Sequence, residues 1–124
     1  MCLVDANIVL RYILNDHSEL SIRATEILEN HEAILLTEVI CEVVYVLQKV
    51  YHVPREEIRT SLCDLIDEHL IKVEKQDIIK QALLFYSTKN IDIVDAVLWA
   101  YHAVENRAVF TFDDKLNKYL IQSG

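Results

Sequence analysis

Short apolar runs alternate along this chain with longer segments in which apolar residues recur every third or fourth position. Residues 2–4 (CLV), 33–36 (AILL), 70–74 (LIKVE) and 108–112 (AVFTF) are brief and apolar enough to be buried strands. The segments between them carry helical periodicity. A helix over 6–14 would be capped by Asp5, and a second over 18–30 by Ser18, with Ile22, Ile27 and Leu28 along one side. Thr37 opens a helix of about four turns, TEVICEVVYVLQKVYH. Pro54 begins the next, over 54–69, at a position where its missing N–H costs little. Helices follow over 75–90 and 92–106, and a short one starts from Asp113. Short apolar strands separated by helices predict an α/β fold with a parallel sheet covered on both faces, and such sheets bind ligands at the carboxyl ends of their strands.

Composition narrows the picture. A chain of 124 residues, 52% of them hydrophobic, supports one core, so residues 1–124 are expected to form a single domain. One Gly and one Pro argue for short connections and a helix-dominated fold. Cys2, Cys41 and Cys63 are widely spaced among apolar neighbours, which predicts small core residues rather than a disulfide framework or a zinc knuckle. The sequence shows no secretory leader pattern and no run near the ~20 apolar residues of a membrane span, so a cytoplasmic protein without membrane contact is expected. A formal charge of −8 opposes nucleic-acid binding unless cations intervene.

The carboxylates form the informative pattern. Asp5 follows the first strand candidate and Asp113 the fourth, which assigns both to one edge of the sheet. Glu42 falls just outside the apolar arc of Val39, Val43, Val46, Leu47 and Val50 on its helix. Asp92 and Asp95 stand at the start of the helix before the fourth strand. Each acid has a local explanation: Asp5, Asp92 and Asp113 as helix caps, Asp95 in a capping arrangement with Asp92, and Glu42 as a partner of Lys49. As a set they ask for more. Four carboxylates within ~5 Å would repel by roughly 3 kcal/mol per pair at an effective dielectric of about 20, against about 1 kcal/mol for a capping bond. A divalent cation resolves that conflict, and all-oxygen donors suit Mg²⁺ or Mn²⁺. The five histidines show no H-x-x-x-H spacing, although His102 lies seven residues beyond Asp95 on the same helix side. A single glycine excludes G-x-G-x-x-G and P-loop nucleotide sites. Asp-Ala-Asn at 5–7 lacks the second Asp of a haloacid-dehalogenase phosphatase, and no phosphorylatable Asp follows the third strand candidate as a receiver domain requires.

Four stretches in order, LVDANIVLRYILND, TEVICEVVYVL, IDIVDAVLWA and VFTFDDKL, resemble the PIN-domain family, and most closely the VapC-type ribonuclease toxins of toxin–antitoxin pairs. The resemblance spans nearly the whole chain. It implies a three-layer α/β/α sandwich with a short, mostly parallel sheet of four to five strands, and an acidic pocket for Mg²⁺ or Mn²⁺. It makes Asp5, Glu42, Asp95 and Asp113 the catalytic and metal-binding acids in that order. Asn7 matches the Asn of the family's opening Asp-x-Asn and Thr111 its Thr-Phe-Asp hydroxyl, with Asp92 in a supporting place. Ala6 departs from the Ser or Thr of many members. The turn ENRAVF lacks the usual glycine, and Asn106, tolerant of left-handed backbone angles, is its expected substitute. A C-terminal edge strand is expected to be missing or very short.

The resemblance implies metal-assisted hydrolysis of RNA phosphodiester bonds, in which the acidic pocket binds cations and the cations attract phosphate. Arg11, Lys115 and Lys118 are candidate contacts to the RNA backbone. The implied partners are an RNA substrate such as tRNA or another structured RNA, a cognate antitoxin, and a second copy in a homodimer. Ile8, Tyr12, Ile13 and Leu14 are candidates for such interfaces or for the core. The rival expectation is an inactive PIN-like module that docks proteins and has kept the fold without the chemistry.

Overall fold

Residues 1–123 are described in a computed structural model. In chain order the elements are β1 (Cys2–Leu3), α1 (Ala6–Leu14), α2 (Ser18–Asn30), β2 (Ala33–Ile34), α3 (Thr37–Lys49), α4 (Arg55–Asp67), α5 (Gln76–Thr88), α6 (Ile93–Glu105) and α7 (Asp114–Ser123). The chain divides into two compact units, Met1–Glu74 and Lys75–Gly124.

In the first unit β1 and β2 pair in parallel, with Cys2 opposite Ala33 and Leu3 opposite Ile34. Lys72 adds one parallel bridge to Ile34. Its N–H donates to the Ala33 carbonyl at 2.8 Å, and its own carbonyl accepts from the Leu35 N–H at 2.8 Å. Parallel neighbours require a crossover, and α1–α2 and α3–α4 supply the two that this pairing needs. α1 packs on α2 and α3, and α3 on α4. Val9, Leu28, Leu35, Ile40, Leu47 and Ile58 are fully buried between them.

In the second unit α6 packs on both α5 and α7. Ile78, Leu83, Tyr86, Ala96, Ala100 and Leu116 form the buried interior. At its margin the Phe85 ring stacks on Trp99 with centroids 3.7 Å apart and meets Tyr119 edge-on at 5.0 Å.

The fold is mixed α/β, with seven helices and a small parallel sheet among the described residues. The sheet has two strands, not the expected four to five. A strand exists through its ladder, so an apolar run without enough partners stays irregular. Residues 70–74 contribute only the Lys72 bridge. Residues 108–112 form no strand at all: Phe110 and Phe112 are 95% and 105% exposed. Local bonds take over at that segment's end, where the Asp113 N–H donates to Thr111 Oγ1 at 3.1 Å and Asn117 Nδ2 donates to the Thr111 carbonyl at 2.9 Å. α7 then runs on, and no edge strand follows among the described residues.

Three helix starts also differ from expectation. Ser18 lies inside α2, and His17 is the cap, its Nδ1 accepting from the Leu20 N–H at 3.0 Å; a neutral imidazole nitrogen serves there as a hydroxyl oxygen would. Thr37 is likewise inside α3, whose cap residue Leu36 makes no side-chain bond. Pro54 stands one residue earlier than expected, as the cap of α4. Asn106 does end α6 in the left-handed region, at φ 55°, as anticipated for a turn without glycine. Asn15, His52 and His69 adopt the same region. None of the three cysteines is in a disulfide, and all are half-buried. No helix is long and apolar enough to cross a membrane among the described residues.

Leu47 lies wholly inside the first unit. Leu47→Ala should lower unfolding stability by about 3 kcal/mol, within the ~2–5 kcal/mol range for buried leucine truncation, measured by urea denaturation with an unchanged m-value.

Candidate active site

The first unit gathers Asp5 and Glu42. The β1-to-α1 junction places Asp5 at the helix cap, where Oδ1 accepts from the Ile8 N–H at 3.3 Å. That orphan amide of the first turn orients the carboxylate and leaves its other oxygen available. Glu42 is exposed on α3. Both line a cavity of about 260 Å³ together with Asn7, Arg11, Val46 and Tyr51. The Arg11 guanidinium is already engaged: Nη1 pairs with Asp16 at 2.7 Å and Nη2 donates to the Tyr51 hydroxyl at 3.1 Å. Those partners, the Tyr51 bond foremost, raise its pKa further. Its Nε is buried and has no hydrogen-bond partner.

The second unit gathers Asp92, Asp95 and Asp113, which line a cavity of about 230 Å³ with Asn90, Lys115 and Leu116. Asp113 caps α7, its Oδ1 accepting from the Leu116 N–H at 2.8 Å. Thr111 supports it through the hydroxyl that receives the Asp113 N–H. Asp92 occupies the cap position of α6, but its carboxylate makes no capping bond. Asp95, half-buried in the first turn of that helix, has its pKa raised by burial, then by the charge of Asp113, then by that of Asp92. Lys115 Nζ donates to the Asn90 carbonyl, so this cavity-lining cation is anchored to backbone. Lys118 is exposed on α7.

Thus Asp5, Asn7, Arg11 and Glu42 meet around one cavity, and Asp92, Asp95, Asp113 and Lys115 around another. Among the described residues no group of three or more His, Cys, Asp or Glu is arranged to hold a metal ion. In donor chemistry the second cavity still suits a hard divalent cation, because three carboxylates line it and Asp95 resists ionisation through burial and the charges of Asp113 and Asp92. Histidine and cysteine offer less. His17 caps α2, and His102 Nδ1 lies 2.8 Å from the Arg107 carbonyl. Burial, aided by Glu38, pushes the Cys41 thiol up, away from the thiolate that metals require.

Sequence reasoning missed Tyr51 and Asp16. Both act through Arg11, and nothing in the local pattern marks a contact such as Arg11–Tyr51, forty positions apart.

The chain matches the family model of the PIN domain over residues 2–120, and it belongs to that family. No curated protein and no solved structure shows a match to it. PIN domains are in general nucleases, and PIN nucleases typically use divalent metal ions.

A raised folded-state pKa at Asp95 means that its ionised form opposes folding at neutral pH. In EDTA at pH 7, Asp95→Asn should therefore raise Tm. As pH falls through the folded-state pKa the wild-type acid takes up its proton, the opposition ends, and the two melting curves should converge. A lower Tm for the Asn variant across that whole range would mean that the ionised carboxylate is stabilising.

Proposed function

We propose that this chain is a metal-dependent endoribonuclease and the toxin of a type II toxin–antitoxin pair of the VapC kind. The observation that carries the proposal is the second-unit cluster, in which Asp92, Asp95 and Asp113 share one cavity and burial together with the other two acids raises the Asp95 pKa. Structural packing does not call for three carboxylates there, whereas a phosphodiesterase does. Membership of the PIN family supports the nuclease reading.

Asp5, Glu42, Asp95 and Asp113 are assigned as the catalytic acids, with Mg²⁺ or Mn²⁺ as the cofactor. An ion held by these acids would supply an acidified water and positive charge for the scissile phosphate. Two of the acids are held by helix amides, Asp5 by Ile8 and Asp113 by Leu116, so each presents its free oxygen in a fixed direction. Thr111 holds the turn at Asp113, and Asn7 lines the cavity beside Asp5. In the reaction a water oxygen bonds to phosphorus, a phosphorus–ribose oxygen bond breaks, and the departing oxygen receives a proton. Lys118, exposed midway along α7, is the candidate phosphate contact, with Lys115 joining once it exchanges its backbone carbonyl for phosphate.

The exposure of Phe110 and Phe112 favours a protein partner as well. In the toxin reading they anchor the antitoxin. The same side chains favour the second reading, a docking module without catalysis. A homodimer and a cytoplasmic setting complete the toxin proposal, with tRNA or another structured RNA as substrate.

Purified protein incubated with labelled tRNA or structured RNA and Mg²⁺ or Mn²⁺ should cut it, and EDTA should abolish cutting. Asp95→Asn should lower the rate by about 100-fold or more, the scale of losing one group that stabilises a transition state. Mn²⁺ should also raise Tm of the wild type. Absence of both cutting and a Tm shift would favour the docking module.

A further inference from the structure

Resting on the ribonuclease reading, we infer that the Tyr51 ring is a stacking platform for one unpaired RNA base beside the Asp5–Glu42 cavity, with Arg11 as its positioning residue. Tyr51 is the aromatic residue that lines this cavity with the two acids, and 40% of it is open to solvent. An exposed tyrosine is ordinarily free to turn about its side-chain bonds. This one is tied: its hydroxyl accepts from Arg11 Nη2 at 3.1 Å, and Arg11 Nη1 is itself fixed on Asp16 at 2.7 Å. The backbone is set on both sides, since the Tyr51 N–H donates to the Val46 carbonyl and His52 turns left-handed at φ 54°. A ring restrained at its hydroxyl and its backbone, yet open elsewhere, can take a flat partner without further loss of rotamer freedom.

The chemistry around the ring narrows that partner. The cavity, about 260 Å³, is smaller than the ~300–1,000 Å³ of whole small-molecule sites, so it admits part of a nucleotide. Its acidic wall disfavours an isolated anion, and the charge of Arg11 is balanced by Asp16. A neutral, flat base face therefore suits the ring better than a phosphate does. Base faces are available for such stacking only where the strand is unpaired. The site therefore selects loops, bulges or ends and rejects continuous duplex.

The experiment uses Tyr51→Phe, Tyr51→Leu and Tyr51→Ala in the full chain, with short single-stranded and duplex RNA. Equilibrium binding is measured on the Asp95→Asn background, with 2-aminopurine in the strand as a stacking reporter. Tyr51→Ala and Tyr51→Leu should weaken single-strand binding by about 5- to 150-fold, the range for losing one base–aromatic stack, and should abolish the 2-aminopurine quench. Tyr51→Phe keeps the ring and loses its tether, so it should retain the quench with a smaller loss of affinity. In the cutting assay the defect should fall on KM more than on kcat. Equal affinity of Tyr51→Ala and wild type for single-stranded RNA, or an equal loss for duplex, overturns the inference. A wild type that cuts RNA while Tyr51→Ala keeps its KM overturns this inference alone; a wild type that cuts no RNA overturns the ribonuclease reading, and the binding arms still decide on Tyr51.

Discussion

A helix leaves its first N–H groups without backbone partners, and two of the acids in this chain are held by that deficit. Asp5 answers the Ile8 amide and Asp113 the Leu116 amide. Capping and chemistry are compatible because a carboxylate has two oxygens and the amide needs one. What an isolated aspartate would use for local stability becomes, beside a cavity, a means of fixing the direction of a negative charge.

Asp95 shows the opposite balance. It sits half-buried, and the charges of Asp113 and Asp92 add to the cost of ionising it. The bulk composition runs the same way, since a chain of net charge −8 repels the polyanion that a nuclease must approach. Divalent ions, which PIN nucleases typically use, would resolve both. Under the proposed function, negative charge in the cavity would be the condition for recruiting positive charge, and affinity for phosphate would follow from occupancy.

Helices were legible in the sequence to within a few residues, because an apolar stripe with a period of 3.6 is a local property. Strands were not. AVFTF reads as a strand by composition, yet a strand needs a neighbour, and the Thr111–Asp113–Asn117 bonds occupy the end of that segment instead. Ser18 and Thr37 looked like caps by residue type, while the backbone entered those helices one residue earlier, at His17 and Leu36. The acids were legible because strand-to-helix junctions and helix starts are readable features. Their grouping into Asp5 with Glu42, and Asp92 with Asp95 and Asp113, required coordinates. Tyr51 and Asp16 stayed hidden because their role runs through Arg11, and side-chain pairing across distant positions leaves no period in a sequence.

Asn15, His52, His69 and Asn106 turn the backbone left-handed where glycine usually would. Each accepts a steric penalty in the folded chain, of roughly 1–2 kcal/mol for an ordinary residue and less for asparagine. Glycine at these positions would relieve that penalty but widen the conformations open to the unfolded chain. With one glycine in 124 residues, the denatured ensemble of this protein is unusually restricted, so part of its stability resides in the state that carries none of its contacts.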